Sequence, residues 1–342
     1  MNRIILINGK DQTKLSVFNR LVQFGDGLFE TCLVVDHKLI LAEAHFKRLE
    51  KGAKRLKISP IARSVWIKEI AKAVFMAKLD NVVVKIILSR GETFRGYGYD
   101  KSITPTRIVM VSKAPDLPKD YTLSLCDSGY ASNQMLSEIK HCNRLEQILA
   151  RTNIKTQECI MLDPQAQIIS VTQGNIFAIK NGVLLTPGLN ECGIEGTRRQ
   201  VIIELARKLG LSVEICRLSV AELLACDEIF ISNSVVGIKF ISQINEQKYS
   251  QHQFTDQILD SLNEHLSKPE NSIVLKPKKR FFKSWLIIAF SLLFAWLLWA
   301  NKINMVKPFV YQIPQGATIH STANSLKRYG LVNSVQFVVW TA

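Results

Sequence analysis

The chain has 342 residues, 47% hydrophobic and 21% charged, a balance too apolar for intrinsic disorder and a length that calls for two or three structural units. Its net charge of +15 is unevenly placed: residues 271–342 hold nine Lys/Arg and no Asp/Glu, leaving 35 basic against 29 acidic residues before them. Nucleic-acid binding is therefore not expected, because the basic cluster adjoins an apolar run and lacks interleaved aromatic residues.

Residues 4–8 read as a strand turning at Asn8-Gly9. Strands over 28–35 and 38–41 flank Asp36-His37, a hairpin signal. A helix is predicted over 42–56, with Phe46, Leu49, Ala53 and Leu56 at three- and four-residue spacing and Arg48 and Lys51 on other faces. A second helix is predicted over 61–78, then strands over 82–90 and 106–113. The proline-bearing stretch 114–118 is the best internal boundary. Beyond it, 159–163, 175–180 and 228–232 read as strands, and 144–152 and 197–209 as helices, the latter ended by Gly210.

Cys32, Cys126, Cys142, Cys159, Cys192, Cys216 and Cys226 contain no C-x-x-C pair, and the N-terminus shows no secretory signal. Reduced thiols are expected, with no metal site and no disulfide framework.

Residues 284–300 carry no charge, and as a helix they cover about 25 Å, enough to span a bilayer if Phe281 and Phe282 extend it. The basic cluster at 276–280 orients this span by the positive-inside rule. The expectation is a basic linker at 269–283, a single transmembrane helix at 284–301 and an extracytoplasmic segment at 302–342. The residues before the linker would be cytoplasmic, anchored to a bacterial inner membrane with the N-terminus inside.

Four features carry chemistry: Phe24-Gly25-Asp26-Gly27, a tight turn opening a strand; the loop Ser89 to Gly98, with Arg90 and Arg95; the run Ile139-Lys140-His141-Cys142-Asn143-Arg144-Leu145-Glu146; and Gly193-Ile194-Glu195-Gly196-Thr197, where an irregular stretch opens a helix. In this order they resemble the fold-type IV pyridoxal-phosphate enzymes, over roughly residues 3–265. The Arg-Gly-Tyr loop and the Asn-Arg-Leu-Glu after the lysine are most similar to the aminodeoxychorismate lyase branch of that family.

The resemblance implies an α+β, two-domain fold of the D-amino-acid aminotransferase kind, with a small α/β domain at 1–113 and a large cofactor domain at 119–268. It implies pyridoxal 5'-phosphate carried by Lys140, whose amine also serves as general base. Gly196 and Thr197 would bind the cofactor phosphate at a helix N-terminus, with Arg48 as a guanidinium clamp and Asn233 and Ser234 nearby. Arg95 would take a substrate carboxylate, Tyr97 would line the ring pocket and Gly27 would shape its floor. Ser170 stands where the family places the glutamate that keeps the pyridine nitrogen protonated, and a hydroxyl brings no charge there.

The activity implied is conversion of 4-amino-4-deoxychorismate to 4-aminobenzoate and pyruvate by a homodimer. A branched-chain or D-amino-acid aminotransferase of the same fold is the alternative. Residues 310–334 resemble the beginning of endolytic murein transglycosylases, but Ala342 comes before that family's catalytic domain, so a lyase joined to a truncated second protein is expected. A membrane-tethered degenerate scaffold with a cell-wall-facing tail is the reading of another class.

Overall fold

The computed structural model describes residues 4–118, 121–277 and 311–332. The chain forms two compact units, residues 1–278 and 279–342.

In the first unit, β1 (Ile4–Ile7), β2 (Lys10–Asp11), β3 (Gly27–Val35), β4 (Lys38–Ile40), β5 (Val82–Ser89) and β6 (Thr106–Lys113) form an antiparallel sheet, with the short helix α1 (Arg20–Phe24) between β2 and β3. Asp36 and His37, both at positive φ (48° and 60°), make the predicted β3–β4 turn. Helices α2 (Ala42–Leu56) and α3 (Arg63–Ala77) pack on this sheet. Phe46, Leu49 and Ala53 of α2 and Trp66 and Ile70 of α3 meet Leu28, Val34, Val84 and Ile86 in one core. The helical period aligns two polar residues with this buried stripe as well. His45 and Arg48 are buried, which corrects the expected outward placement of Arg48.

The second sheet has nine strands: β7 (Tyr121–Leu125), β8 (Glu158–Leu162), β9 (Ile168–Val171), β10 (Asn175–Lys180), β11 (Val183–Pro187), β12 (Ser212–Cys216), β13 (Glu228–Asn233), β14 (Gly237–Ile244) and β15 (Gln247–Lys248). Helix α4 (Leu145–Ala150) precedes β8, α5 (Thr197–Lys208) links β11 to β12, and α6 (Val220–Leu224) and α7 (Gln253–Ser267) follow. Alternation along β10 loads both faces of this sheet. Ile176 and Ala178 join a core with Leu123, Ile160 and Ile231, while Phe177 and Ile179 join one with Ile202, Phe230, Ile258 and Leu262. The Phe177 and Phe230 rings stack at 4.8 Å between centroids. After α7 the chain returns to the first sheet, where β16 (Ser272–Val274) pairs with β4. This edge strand and the 3-10 turn Pro269–Asn271 lie in the stretch read as linker.

One cysteine expectation is corrected. Cys126 and Cys159 are joined in a disulfide, because parallel pairing of β7 with β8 brings their Cα atoms to 5.4 Å across a sequence separation of 33. The other five cysteines are free.

In the second unit, helix α8 (Ile319–Arg328) starts at Thr318, whose hydroxyl accepts from the Ser321 amide. The span read at 284–301 lies outside the described residues. Among the described residues no helix is long and apolar enough to cross a membrane.

Candidate active site

A cavity of about 890 Å³ is lined from the first sheet by Phe29, Thr31 and Lys85, and from the second by Ser170, Asn175 and Ser232. Lys140 enters it from an extended segment rather than a helix. The Phe29 amide donates to the Lys140 carbonyl (2.9 Å), and the Cys142 amide to the Gly27 carbonyl (2.9 Å), fastening the lysine's backbone to the start of β3. The ammonium lies 4.5 Å from the Phe29 ring centroid, and Lys85 approaches the same ring at 4.8 Å. Burial lowers the Lys140 pKa to about 7, with Arg48, Arg144 and Lys85 adding repulsion that Glu30 partly opposes. At neutral pH a large fraction is therefore free amine, the form that attacks a carbonyl and accepts a proton.

Arg48 lines the cavity and is locked from behind. Its Nε and Nη2 donate to Glu30 (2.7 and 2.5 Å), and its Nη1 to the Glu195 carbonyl (2.7 Å). His45 Nδ1 contacts the same carboxylate at 2.7 Å. Burial pushes the Glu30 carboxyl up, but the Arg48 guanidinium and the His45 contact outweigh it and hold the pKa down at about 2. Burial lowers the His45 pKa, which leaves the Glu30–Arg48 ion pair as the charged element here.

At the other end, α5 opens at Gly196 with no capping side chain and no acidic residue in its first turn. The Gly196 amide donates to Asn175 Oδ1 (3.0 Å), and Asn175 Nδ2 donates to the Ile194 carbonyl (2.9 Å), pinning the helix start to β10. A Cβ at Gly196 would fall 2.1 Å from Asn175 Oδ1, so only glycine permits this approach. The hydroxyls of Thr197 and Ser234 are 3.1 Å apart. Asn233 turns the following loop by accepting from the amides of Val235 and Val236 (2.8 and 2.9 Å). A helix start with no capping side chain, two hydroxyls and nearby guanidinia form an anion cradle on the cavity wall.

Ser170 lies on the cavity wall, its Oγ 2.8 Å from the Tyr130 hydroxyl and 2.8 Å from the Val171 carbonyl, which accepts from it. Thus Lys140, Arg48, Ser170, Gly196, Thr197, Asn233 and Ser234 share one cavity. The other three sequence candidates lie outside its lining. Arg95 and Tyr97 are exposed, and Gly27 is buried in the β3–β5 pairing, where a Cβ would meet the Leu88 carbonyl at 2.7 Å. Their loop is held by Arg20, whose guanidinium donates to the carbonyls of Gly96 (3.2 Å) and Tyr97 (2.9 Å) while its Nε binds Asp26 (2.8 Å). Arg90 pairs with the same Asp26 (2.7 Å) and donates to the carbonyls of Leu56 and Lys57, a structural role.

Sequence reasoning missed Tyr130, Arg144, Asn175 and Arg198, all on the cavity wall. Asn175 and Arg198 adjoin motifs that were noticed, but only the folded chain shows what they face. Arg144 donates from Nε to the His141 carbonyl (2.8 Å), while its buried Nη2 has no partner.

Residues 27–244 match the class IV amino-transferase family. The chain belongs to that family, and the two-sheet fold with Lys140 facing an anion cradle is the form it takes here. Among its relatives, the aminodeoxychorismate lyase of Vibrio harveyi is 30% identical over 251 residues, covering 70% of this chain and 90% of the relative. A putative branched-chain-amino-acid aminotransferase of Methanocaldococcus jannaschii is 27% identical over 252 residues, 70% of this chain and 88% of the relative. The crystal structure of 4-amino-4-deoxychorismate lyase from Pseudomonas aeruginosa superposes with a TM-score of 0.72 at 33% identity, covering 78% of this chain and all of that one (100%). Members of this family depend on pyridoxal phosphate, and the free-amine lysine, the glycine-only helix start and the cationic cradle fit that cofactor.

Proposed function

We propose that the chain is an aminodeoxychorismate lyase, releasing 4-aminobenzoate and pyruvate from 4-amino-4-deoxychorismate. The observation that carries the reading is the pair of unspent cations beside Lys140. Arg144 has a buried Nη2 without an acceptor, and Lys85 shares the Phe29 ring with the lysine, so an anionic substrate has receptors here. Aminodeoxychorismate brings two carboxylates. Bound pyridoxal phosphate supplies an electron sink for bond breaking at the amine-bearing carbon. Lys140, with its lowered pKa, would take the proton from that ring carbon; the C–O bond between ring and enolpyruvyl group then breaks as the ring becomes aromatic, and the departing enolate regains one proton at carbon to become pyruvate. Arg144 orients a carboxylate, and Arg48 stays in place through Glu30.

Ser170 occupies the place of the family's pyridine-facing glutamate in this reading, and its partner Tyr130 makes the contact a neutral hydroxyl pair. Aromatisation of the product would itself drive the elimination, so a site that supplies only a hydroxyl at Ser170 is compatible with lyase chemistry.

The test is product release by the purified chain. Pyruvate and 4-aminobenzoate should appear in equal amounts with no keto acid added. A strict requirement for a keto-acid acceptor would instead assign an aminotransferase, the alternative that relatives at lower identity favour.

The active form is proposed to be a homodimer. Leu145, Ile148 and Leu149 of α4 are 72%, 61% and 64% exposed, an apolar face that a second copy of this chain would cover. The anchor at 284–301, with the enzyme domain cytoplasmic and the tail, which resembles the beginning of a transglycosylase, outside, completes the proposal. A reporter fused after Ala342 should be active only when exported, and full solubility of the intact chain without detergent would overturn the anchor.

A further inference from the structure

Arg198 is the second residue of α5, only 5% exposed and on the wall of the cavity. No hydrogen bond or ion pair engages its guanidinium among the described residues. The neighbouring acids are already spent, Glu30 on Arg48 and His45, and Glu195 on Lys51. Its surroundings are cationic or neutral: Nη1 packs against the turn at Gly237, 3.1 Å from where a Cβ would stand, and its charge helps to depress the pKa of buried His45. Burial alone lowers the Arg198 pKa to about 10, a sign that no negative group offsets the lost hydration.

Its position makes the arrangement more adverse. The first turn of a helix carries the positive end of the dipole, where acidic residues are favoured and cations disfavoured. The first turn of α5 has no acidic residue and two buried arginines, Arg198 and Arg199. Arg199 is partly compensated by the Pro187 carbonyl, to which its Nη2 donates (2.8 Å). Arg198 has no such acceptor. A buried, unpaired cation placed against a helix dipole is tolerable when an anion of matching charge joins it.

We infer that Arg198 is a cofactor-phosphate ligand of this chain, its guanidinium supplying a charge-assisted, forked contact beside the N-terminal amides of α5 and the Thr197 and Ser234 hydroxyls. The inference rests on the pyridoxal-phosphate reading of the cavity. Arg198 then sets how strongly the protein prefers the phosphorylated cofactor over the same ring without phosphate, and it holds the apo protein in an electrostatically unsatisfied state that cofactor binding relieves.

The experiment compares the full chain with Arg198→Met, which keeps the length and apolar stem, and Arg198→Lys, which keeps the charge without the fork. Each apo protein is titrated with pyridoxal phosphate and with pyridoxal, read by the absorbance of the attached ring, and its Tm is measured with and without inorganic phosphate. Arg198→Met should weaken pyridoxal phosphate binding about 10- to 100-fold, with Arg198→Lys intermediate, while pyridoxal binds both variants as it binds the wild type. The apo Tm of Arg198→Met should equal or exceed that of the wild type, and the rise in Tm caused by phosphate should shrink. A pyridoxal phosphate affinity within about twofold of wild type in both variants overturns the inference, as does an equal loss for both ligands, which would mark a structural role. If Arg198→Met fails to fold, Arg198→Lys decides by the same comparison. Wild type that is stabilised by phosphate but attaches neither ring would remove the cofactor reading while leaving the anion role of Arg198 to the Tm series.

Discussion

Lys140 is half-buried on the cavity wall and Glu30 is fully buried behind it, and their surroundings move the two groups in different senses. Lys140 loses its proton near pH 7 because burial, Arg48 and Arg144 disfavour the cation. Below that pH the free amine falls tenfold per unit, and above about 8 it is essentially complete. Cofactor uptake by the apo chain, followed by stopped-flow absorbance, should rise about tenfold per pH unit up to 7 and then level. A profile still climbing toward pH 10 would mean an ordinary solvated lysine. Glu30 is held at about 2 despite its burial, by Arg48 and His45. Its folded pKa lies below its ordinary value of 4.5, so the stability it contributes is present above pH 4.5 and lost as pH falls toward 2. Glu30→Gln leaves Arg48 buried without a counter-charge and should cost about 3–5 kcal/mol at pH 7. Urea unfolding across a pH series should show that difference shrinking below pH 4.5; a constant difference would place the cost in packing rather than charge.

At the scale of elements, the start of α5 is fixed by side-chain hydrogen bonds from β10. Asn175 bridges Gly196 and Ile194, and the missing Cβ at Gly196 lets the two meet. Gly196→Ala drives a methyl into Asn175 Oδ1 and must push the helix start away, displacing the amides of the anion cradle. The expected result is at least about a tenfold loss of cofactor affinity with the far-UV circular dichroism unchanged. Adding Asn175→Ser, which shortens the obstructing side chain, should return part of the affinity. Unaltered binding in Gly196→Ala would show that the cradle does not depend on this junction. The opposite design holds Lys140, where strand-like hydrogen bonds to Gly27 and Phe29 replace helix packing, so the lysine sits on the first sheet while facing the second.

For the whole molecule, α4 presents an exposed apolar face, Leu145, Ile148 and Leu149, among the described residues. Ile148 also lines the cavity, so the interface proposed at this face would adjoin the cavity. Ile148→Lys with Leu149→Lys places two charges in that face and should convert a dimer to monomer in sedimentation analysis, with little change in unfolding free energy of the isolated subunit. A wild type that sediments as a monomer at micromolar concentration would overturn the proposed interface. The exposed Arg95 and Tyr97 loop is held in shape by Arg20 and lies outside the cavity lining.

Local rules determined much of this protein from its sequence. The apolar period placed α2 over Ala42–Leu56, β6 over Thr106–Lys113 and β10 over Asn175–Lys180, and Asp36-His37 announced a turn, because these signals depend on neighbours along the chain. The run around Lys140 and the glycine-bearing helix start pointed to the cofactor through resemblance. Tertiary structure decided the rest. Arg48 looked solvated until folding set Glu30 behind it, Cys126 met Cys159 only when β7 and β8 became parallel neighbours, and Ser170 gained Tyr130 from 40 residues away. Arg198 reads in sequence as a basic residue on a helix, yet its burial without a counter-charge exists only where α5, the loop at 233–237 and α2 converge. Periodicity reports which face of an element is apolar; the partner of a buried charge is set by contacts between segments far apart in sequence, and no local pattern encodes them.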